Sequence, residues 1–264
     1  VNTVWSDEAG PPKAPLIVLI HGTMDRSTGM LKLSRRLDFG YRVMRYDRRG
    51  YGRSTPHDGP FHMAAQVDDL VTLLCGRAAV LVGHSYGGNV ALAMASRYPD
   101  LVRGVAIYET PLSWEPWWPG TTAGAAARAT QGDAAEAAER FMRRLIGDAN
   151  WERLPERTRA TRRTEGAAMV GELRDLQANQ PWHANNIHCP VVLGHGSQGA
   201  EHHRDGMRYV HDRLPQSALV ELAGCRHDAP LSHSELFTTM LIDPLLRAVG
   251  GAWSAAINVR AGAP

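Results

Sequence analysis

The sequence predicts an α/β fold, a mostly parallel sheet flanked by helices, and three observations carry that prediction. Short apolar, β-branched runs alternate along the chain with stretches of helical spacing. One such run passes through a glycine-rich turn straight into a helix, at VLVGHSYGGNVALAMASRY. The alternation then stops between 112 and 185, where helical spacing continues with no strand, as an inserted helical segment would.

Strands are expected at Leu16–Ile20 (LIVLI), Arg42–Tyr46 (RVMRY), 79–82 (AVLV), 105–108 (VAIY), 191–193 (VVL) and 218–222 (ALVEL). Each is short and mostly free of polar interruption, the pattern of strands covered on both faces. Helices are expected near 30–38, 62–75, 86–98, 201–214 and 233–248. Strand and helix in alternation imply parallel βαβ units and a doubly wound sheet. Within the insertion, ARATQGDAAEAAERFMRRLIG and RTEGAAMVGELRDLQ have helical spacing, which divides the chain into a core, 1–111 and 186–264, and a helical segment, 112–185.

Length and composition bound the function. A chain of 264 residues is long enough for one good-sized core. Its 29 Lys+Arg and 27 Asp+Glu leave a net charge of +2 and no basic stripe, so nucleic acid is not an expected partner. No apolar stretch approaches the ~20 residues of a membrane span, and VNTVWSDEAG lacks the basic and apolar regions of a signal peptide. The three scattered cysteines, Cys75, Cys189 and Cys225, have neither metal-site spacing nor the even count of a disulfide framework; reduced thiols in a cytoplasm fit them best.

The motif that decides the chemistry is Gly83-His84-Ser85-Tyr86-Gly87, between a strand and a helix. A serine on so tight a turn needs small residues two positions before and after it, and its hydroxyl then stands at a helix N-terminus, presented as a nucleophile. A hydroxyl needs a base, and there are twelve histidines to choose from. His227 follows the last strand on a loop, which places it on the same sheet edge as Ser85. His202, His203 and His211 read as solvated residues of a surface helix, His84 and His195 as supports, and His21 as shaping a loop. Acyl transfer builds negative charge on a carbonyl oxygen, and we assign the amides that would hold it to Thr23, after His21-Gly22, and Tyr86, after the nucleophile.

With these residues in place, the chain resembles the α/β-hydrolase family over nearly its whole length. The likeness is carried by His21-Gly22, the turn Asp47-Arg48-Arg49-Gly50-Tyr51-Gly52-Arg53-Ser54, the Gly83–Gly88 elbow, Cys189-Pro190 and His227. It implies the α/β-hydrolase fold with a mostly parallel eight-stranded sheet, a helical cap inserted after the sixth strand, and a Ser/acid/His triad that uses no cofactor and no metal. The segment 112–185 falls where that cap belongs. The Asp47–Ser54 turn reads as structural, its aspartate and arginine bracing a loop.

The chain departs from the family at the acid. Where the family has Gly-x-x-Asp, this sequence has Gly196-Ser197-Gln198-Gly199. Candidates near the same edge are Glu109, Glu201, Asp205 and Asp228. Asp228 is awkwardly adjacent to His227, and Glu201 and Asp205 would need their loop to fold inward. Glu109, ending an apolar strand, needs no rearrangement. YETPLSWEPWW is similar to a segment of some haloalkane dehalogenases, which carry an acid there; Ser85 in place of their aspartate nucleophile excludes their chemistry. The expected triad is therefore Ser85, His227 and Glu109.

Five of the seven tryptophans fall between 114 and 182, and Trp114 and Trp117 are the candidates for lining an apolar substrate pocket. Arg128, Arg140, Arg143 and Arg144 read as a solvated helix face. The function expected is hydrolysis of an ester or similar activated acyl bond of a small, largely apolar molecule, by a monomer or homodimer. Alternatives on the same residues are C–C bond hydrolysis of a diketone, thioester or lactone opening, and cofactor-free haloperoxidase-like perhydrolysis. An alternative of another class is a non-catalytic ligand-binding protein on a hydrolase scaffold.

Overall fold

The computed structural model describes residues 4–129 and 132–250. Seven strands form one sheet: β1 (Ser6–Ala9), β2 (Leu16–Ile20), β3 (Arg42–Tyr46), β4 (Ala79–His84), β5 (Val102–Tyr108), β6 (Val191–Gly196) and β7 (Ser217–Leu222). Their order is β1-β3-β2-β4-β5-β6-β7. β1 is antiparallel to β3, and every other neighbouring pair is parallel. The count among the described residues is thus seven, not eight. The sheet ends at β1, whose sequence SDEA is charged and partly exposed as an unpaired edge tolerates; Asp7 pairs with Arg45 and Glu8 with Arg42 of β3.

Helices cover both faces. On one side lie α2 (Met63–Leu74), α3 (Tyr86–Arg97) and α9 (Glu201–His211), whose Leu70, Leu74, Val90, Met94, Met207 and Val210 pack with Val18, Leu81 and Ile107 of the strands. On the other lie α1 (Leu31–Leu37) and the C-terminal helix that starts at Ser234, with Leu33, Phe237 and Leu241 against Ile17, Val80 and Val192. Alternate residues of a strand face opposite layers, so an uninterrupted run such as LIVLI feeds both at once.

Between β5 and β6 the chain leaves the sheet and forms α4 (Ala123–Ala129), α5 (Ala134–Ile146), α6 (Asp148–Arg153), α7 (Glu156–Thr164) and α8 (Gly166–Ala178). These pack Phe141, Met142, Trp151, Met169 and Leu173 into a cluster that also takes in Met24 and Tyr51 from the sheet's loops. Residues 251–264, assigned above to the core, lie outside the described residues, as does the side chain of Arg128.

The topology fixes where a site can form. After β2 the chain moves outward to β3 and then crosses back to β4 on the other side of β2. Loops leaving the carboxyl ends of β2 and β4 therefore diverge, opening the crevice in which doubly wound sheets bind ligands. His21–Thr23 and Ser85 leave from those two ends.

Candidate active site

Ser85 joins β4 to α3 with φ 54° and ψ −124°. A non-glycine residue in this region costs ~1–3 kcal/mol and persists only where its surroundings enforce it. They do: Ser85 N–H donates to Tyr108 O at 2.9 Å, and Ser85 O accepts from Gly88 N–H at 2.9 Å. The flanking glycines are required by contact. A Cβ on Gly83 would lie 2.4 Å from Gly87 O, and one on Gly87 would lie 2.2 Å from Ile20 O. The His21–Thr23 loop passes close by, a Cβ on Gly22 falling 2.9 Å from Ser85 Cβ. Tyr86 begins α3, so its N–H has no carbonyl within the helix to donate to.

Glu109 follows the last residue of β5 at φ 46° and is fully buried. Its Oε1 accepts from Gly196 N–H at 2.9 Å and its Oε2 lies 2.7 Å from His227 Nδ1. A carboxylate only accepts, so Nδ1 carries the proton and Nε2 of His227 is left with its lone pair. The His227 loop is anchored by Tyr108 O–H donating to Arg226 O at 2.9 Å and Gln198 N–H donating to Cys225 O at 2.9 Å. His84 Nε2–H donates to the His227 carbonyl at 2.7 Å. Among the described residues no hydrogen bond joins Ser85 Oγ to His227; contacts of this kind are often long in free enzymes and tighten around substrate.

The remaining carboxylates point elsewhere. Glu201 and Asp205 pair with Arg204, and Asp228 precedes the short helix α10 (Ala229–Ser232). Gly199 explains its own departure from the family pattern: a Cβ there would lie 2.4 Å from Glu109 Oε1. The carboxylate from β5 fills the room in which a side chain at 199 would stand.

One reading of the histidines is corrected. His202 and His203 are partly buried instead of freely solvated: His203 stacks on His227 with centroids 4.8 Å apart and planes at 18°, and both pack against Trp118. The His203 Nδ1 is shut off from solvent without a hydrogen-bond partner. Burial, then electrostatic repulsion from the neighbouring His227 ring, holds the His203 pKa well below that of a free imidazole. The signal was present, since His203 precedes the buried Gly206, Met207 and Val210 at i, i+3, i+4 and i+7, one helix face. His211 instead bonds Ser217 Oγ at 2.8 Å, away from the site. His195 is buried with its Nδ1 3.9 Å from Glu221 Oε2.

Donor atoms of Glu109, His203 and His227 lie within 4.8 Å of one another, the set here most able to hold a metal ion. Imidazole lone pairs lie in the ring plane, so two nearly parallel stacked rings direct them side by side instead of toward one point. Glu109 already accepts from Gly196 N–H and His227 Nδ1–H, and His203 meets His227 by stacking.

Of the tryptophans, Trp114 meets Trp182 edge-on at 5.8 Å. Trp117 is 41% exposed and packs on Tyr209 at 5.3 Å. Trp118, not singled out from the sequence, is the one brought to the site histidines. Arg140 and Arg143 pair with Glu136 and Glu139 on the face of α5, and Arg144 donates to Thr121 O.

A further group converges on the His21–Thr23 loop, which lies against Ser85. Arg48 and Glu172 of α8 form a fully buried ion pair at 2.6 Å. Thr23 Oγ1 and Tyr51 O–H donate to the same carboxylate, each at 2.7 Å. Burial opposes the charge on Arg48, but Glu172 outweighs it and raises the guanidinium pKa. Asp47 braces its own turn, accepting from Ser27 N–H at 2.7 Å and Arg53 N–H at 2.9 Å.

The model of the alpha/beta hydrolase family matches residues 17–238, which include every residue described at this site. The chain belongs to that family. It is similar to pimeloyl-(acyl-carrier protein) methyl ester esterase of Chromobacterium violaceum, with 26% identity over 88% of this chain and 95% of that one. It is also similar to 2-(acetamidomethylene)succinate hydrolase of Mesorhizobium japonicum, 36% identical over 37% of this chain; that alignment spans 36% of the relative's length. Among solved structures, the enol-lactonase of Burkholderia xenovorans superposes with a TM-score of 0.70 at 23% identity, covering 89% of this chain and 94% of that one, a likeness of fold. Among the described residues no helix is long and apolar enough to cross a membrane.

Proposed function

We propose that this α/β hydrolase is a serine hydrolase that cleaves an ester or similar activated acyl bond of a small, largely apolar substrate through Ser85, His227 and Glu109. The observation that carries the reading is the 2.7 Å contact of the buried Glu109 with His227 Nδ1, which commits the other ring nitrogen to accepting a proton on the edge where Ser85 is presented. His227 Nε2 takes the Ser85 proton as Oγ attacks the acyl carbon, and the carbonyl π electrons move onto oxygen. The amides of Thr23 and Tyr86 receive that oxyanion. Collapse of the tetrahedral species expels the alcohol, which leaves with the proton from His227. Water then repeats the sequence on the acyl-enzyme, releasing the acid and restoring Ser85. Glu109 keeps the imidazole in the productive tautomer and stabilises the imidazolium. The esterase relative, aligned over most of both chains, supports the choice of an ester among acyl bonds.

The test is stoichiometric labelling by a fluorophosphonate, followed by turnover of p-nitrophenyl esters of graded chain length alongside thioesters and lactones. The expected result is one label per chain, on Ser85, with fastest turnover among short or medium esters. Ser85→Ala should lose the label and all but a residual trace of kcat; retention of more than about a tenth of kcat would overturn the mechanism.

A further inference from the structure

We propose that Glu172 is a positioning residue for the oxyanion site: with Arg48 it clamps the His21–Thr23 loop, so that the helical insertion holds the amide donor in place. The inference rests on the serine-hydrolase reading above and adds a residue to it.

Three consecutive residues are held by this one ion pair. Arg48 Nε donates to His21 O at 3.0 Å, Arg48 Nη2 donates to Gly22 O at 3.1 Å, and Thr23 Oγ1 donates to Glu172 Oε1 at 2.7 Å. The contact to Gly22 matters most. The carbonyl of Gly22 and the N–H of Thr23 belong to the same peptide unit, which is planar and trans, so fixing one fixes the other in the opposite direction. Gly22 O accepts from Arg48, from His21 Nδ1–H at 2.8 Å and, at the longer distance of 3.4 Å, from Asp25 N–H. A cation on that carbonyl also polarises the peptide and strengthens its N–H as a donor.

The second oxyanion residue is touched by the same pair, since the Arg48 guanidinium lies 4.6 Å from the centroid of the Tyr86 ring. Arg48 is set by Glu172, which it meets with both terminal nitrogens, at 2.6 and 3.2 Å. The next residue along the loop is held from the insertion too: Met24 O accepts from Arg162 Nη1 at 2.8 Å. The loop therefore depends on α7 and α8 for its conformation, and the Thr23 hydroxyl has a part beyond that of its amide.

The experiment compares Thr23→Val, which keeps the amide and the side-chain volume, with Thr23→Ser and Glu172→Gln. The readouts are kcat and KM on a p-nitrophenyl ester, active-site titration with a fluorophosphonate, and the inhibition constant of a trifluoromethyl ketone whose hemiketal oxyanion mimics the transition state. Loss of one well-placed oxyanion donor costs ~10²–10³ in kcat, so a donor that is merely loosened should cost roughly ten- to a hundredfold. Thr23→Val and Glu172→Gln are expected to show that loss per titrated site, with KM within about threefold and a matching loss of ketone affinity. Thr23→Ser should recover most of it. If Thr23→Val lowers only the melting temperature, leaving kcat per titrated site within about threefold of wild type, the pair is structural and the inference is overturned. Should Glu172→Gln fail to fold, the Thr23 variants decide alone. Wild-type protein that neither takes the label nor turns over any acyl substrate overturns the underlying reading, and this inference with it.

Discussion

Glu109 occupies a backbone conformation that glutamate rarely adopts, at φ 46°, and this turns its carboxylate back over the sheet to meet Gly196 and His227. Glu109→Gln keeps the shape but can offer an amide N–H to Nδ1, favouring the wrong tautomer. We expect kcat to fall by about 10⁴, as when a triad's orienting aspartate becomes asparagine. Glu201→Gln should change kcat by less than about tenfold, because Glu201 is 78% exposed and pairs with Arg204. Steady-state kinetics on one ester decides between them, and the reverse ranking would move the acid beyond β6. Of the candidate site, the Ser85 turn and the meeting of Glu109 with His227 were legible because each residue announces itself locally: a small-residue turn, a loop after the last strand, a charge ending an apolar run. Glu172 was not, because a glutamate on an amphipathic helix is ordinarily solvated. Its burial depends on Arg48, 124 positions away in sequence.

At the scale of elements, the inner strands were readable from apolar runs alone, and Leu16–Ile20 and Arg42–Tyr46 keep their expected bounds. β4 and β6 run on through His84 and Gly196, past the last branched residue, because the parallel ladder continues whatever the side chain. β1 was missed since SDEA has no apolar alternation to detect; its pairing comes from β3 across the register Ser6↔Tyr46 to Ala9↔Val43. The sequence alone suggests that a helical insertion can be removed to leave a soluble sheet, and the buried contacts now argue otherwise. Glu165 and Glu172 are both fully buried and paired with Arg26 and Arg48 of the core. Removing one partner of a buried pair costs ~3–5 kcal/mol, a large share of a domain's ~5–15 kcal/mol. Replacing 112–185 with a short linker should therefore yield a protein unfolded or marginal by circular dichroism. A deletion protein as stable as the parent would show the two layers to be energetically independent.

For the whole molecule, buried imidazoles set the response to acid. Burial, then the charge of Arg48, holds His21 well below the ordinary histidine pKa, and its ring is used as a neutral one, Nδ1–H donating to Gly22 O while Nε2 accepts from Arg48 N–H. Burial, then His227, depresses His84 to about 3. Both remain neutral in the folded chain at pH values where the unfolded chain, with histidines near ~6.5, binds protons. Stability from these groups is therefore fully present above about pH 6.5 and is lost as pH falls toward the depressed folded values. These two groups alone impose a limiting slope of about 2.7 kcal/mol per pH unit, and His203, also held low, adds to it in the same direction. Urea unfolding followed from pH 8 to pH 5 should show a flat upper region and a steep decline below about 6.5. A free energy independent of pH across that interval would mean these imidazoles accept protons without unfolding.

The contest for space between Glu109 and a side chain at 199 makes the two acid placements mutually exclusive on this backbone. A carboxylate reaching His227 from the end of β5 and one reaching it from the loop after β6 would claim the same volume, the first atom of a side chain at 199 falling 2.4 Å from Glu109 Oε1. An aspartate at 199 is therefore admitted only where residue 109 gives up that room, so the glycine is the counterpart of the glutamate and the two positions can be exchanged only as a pair.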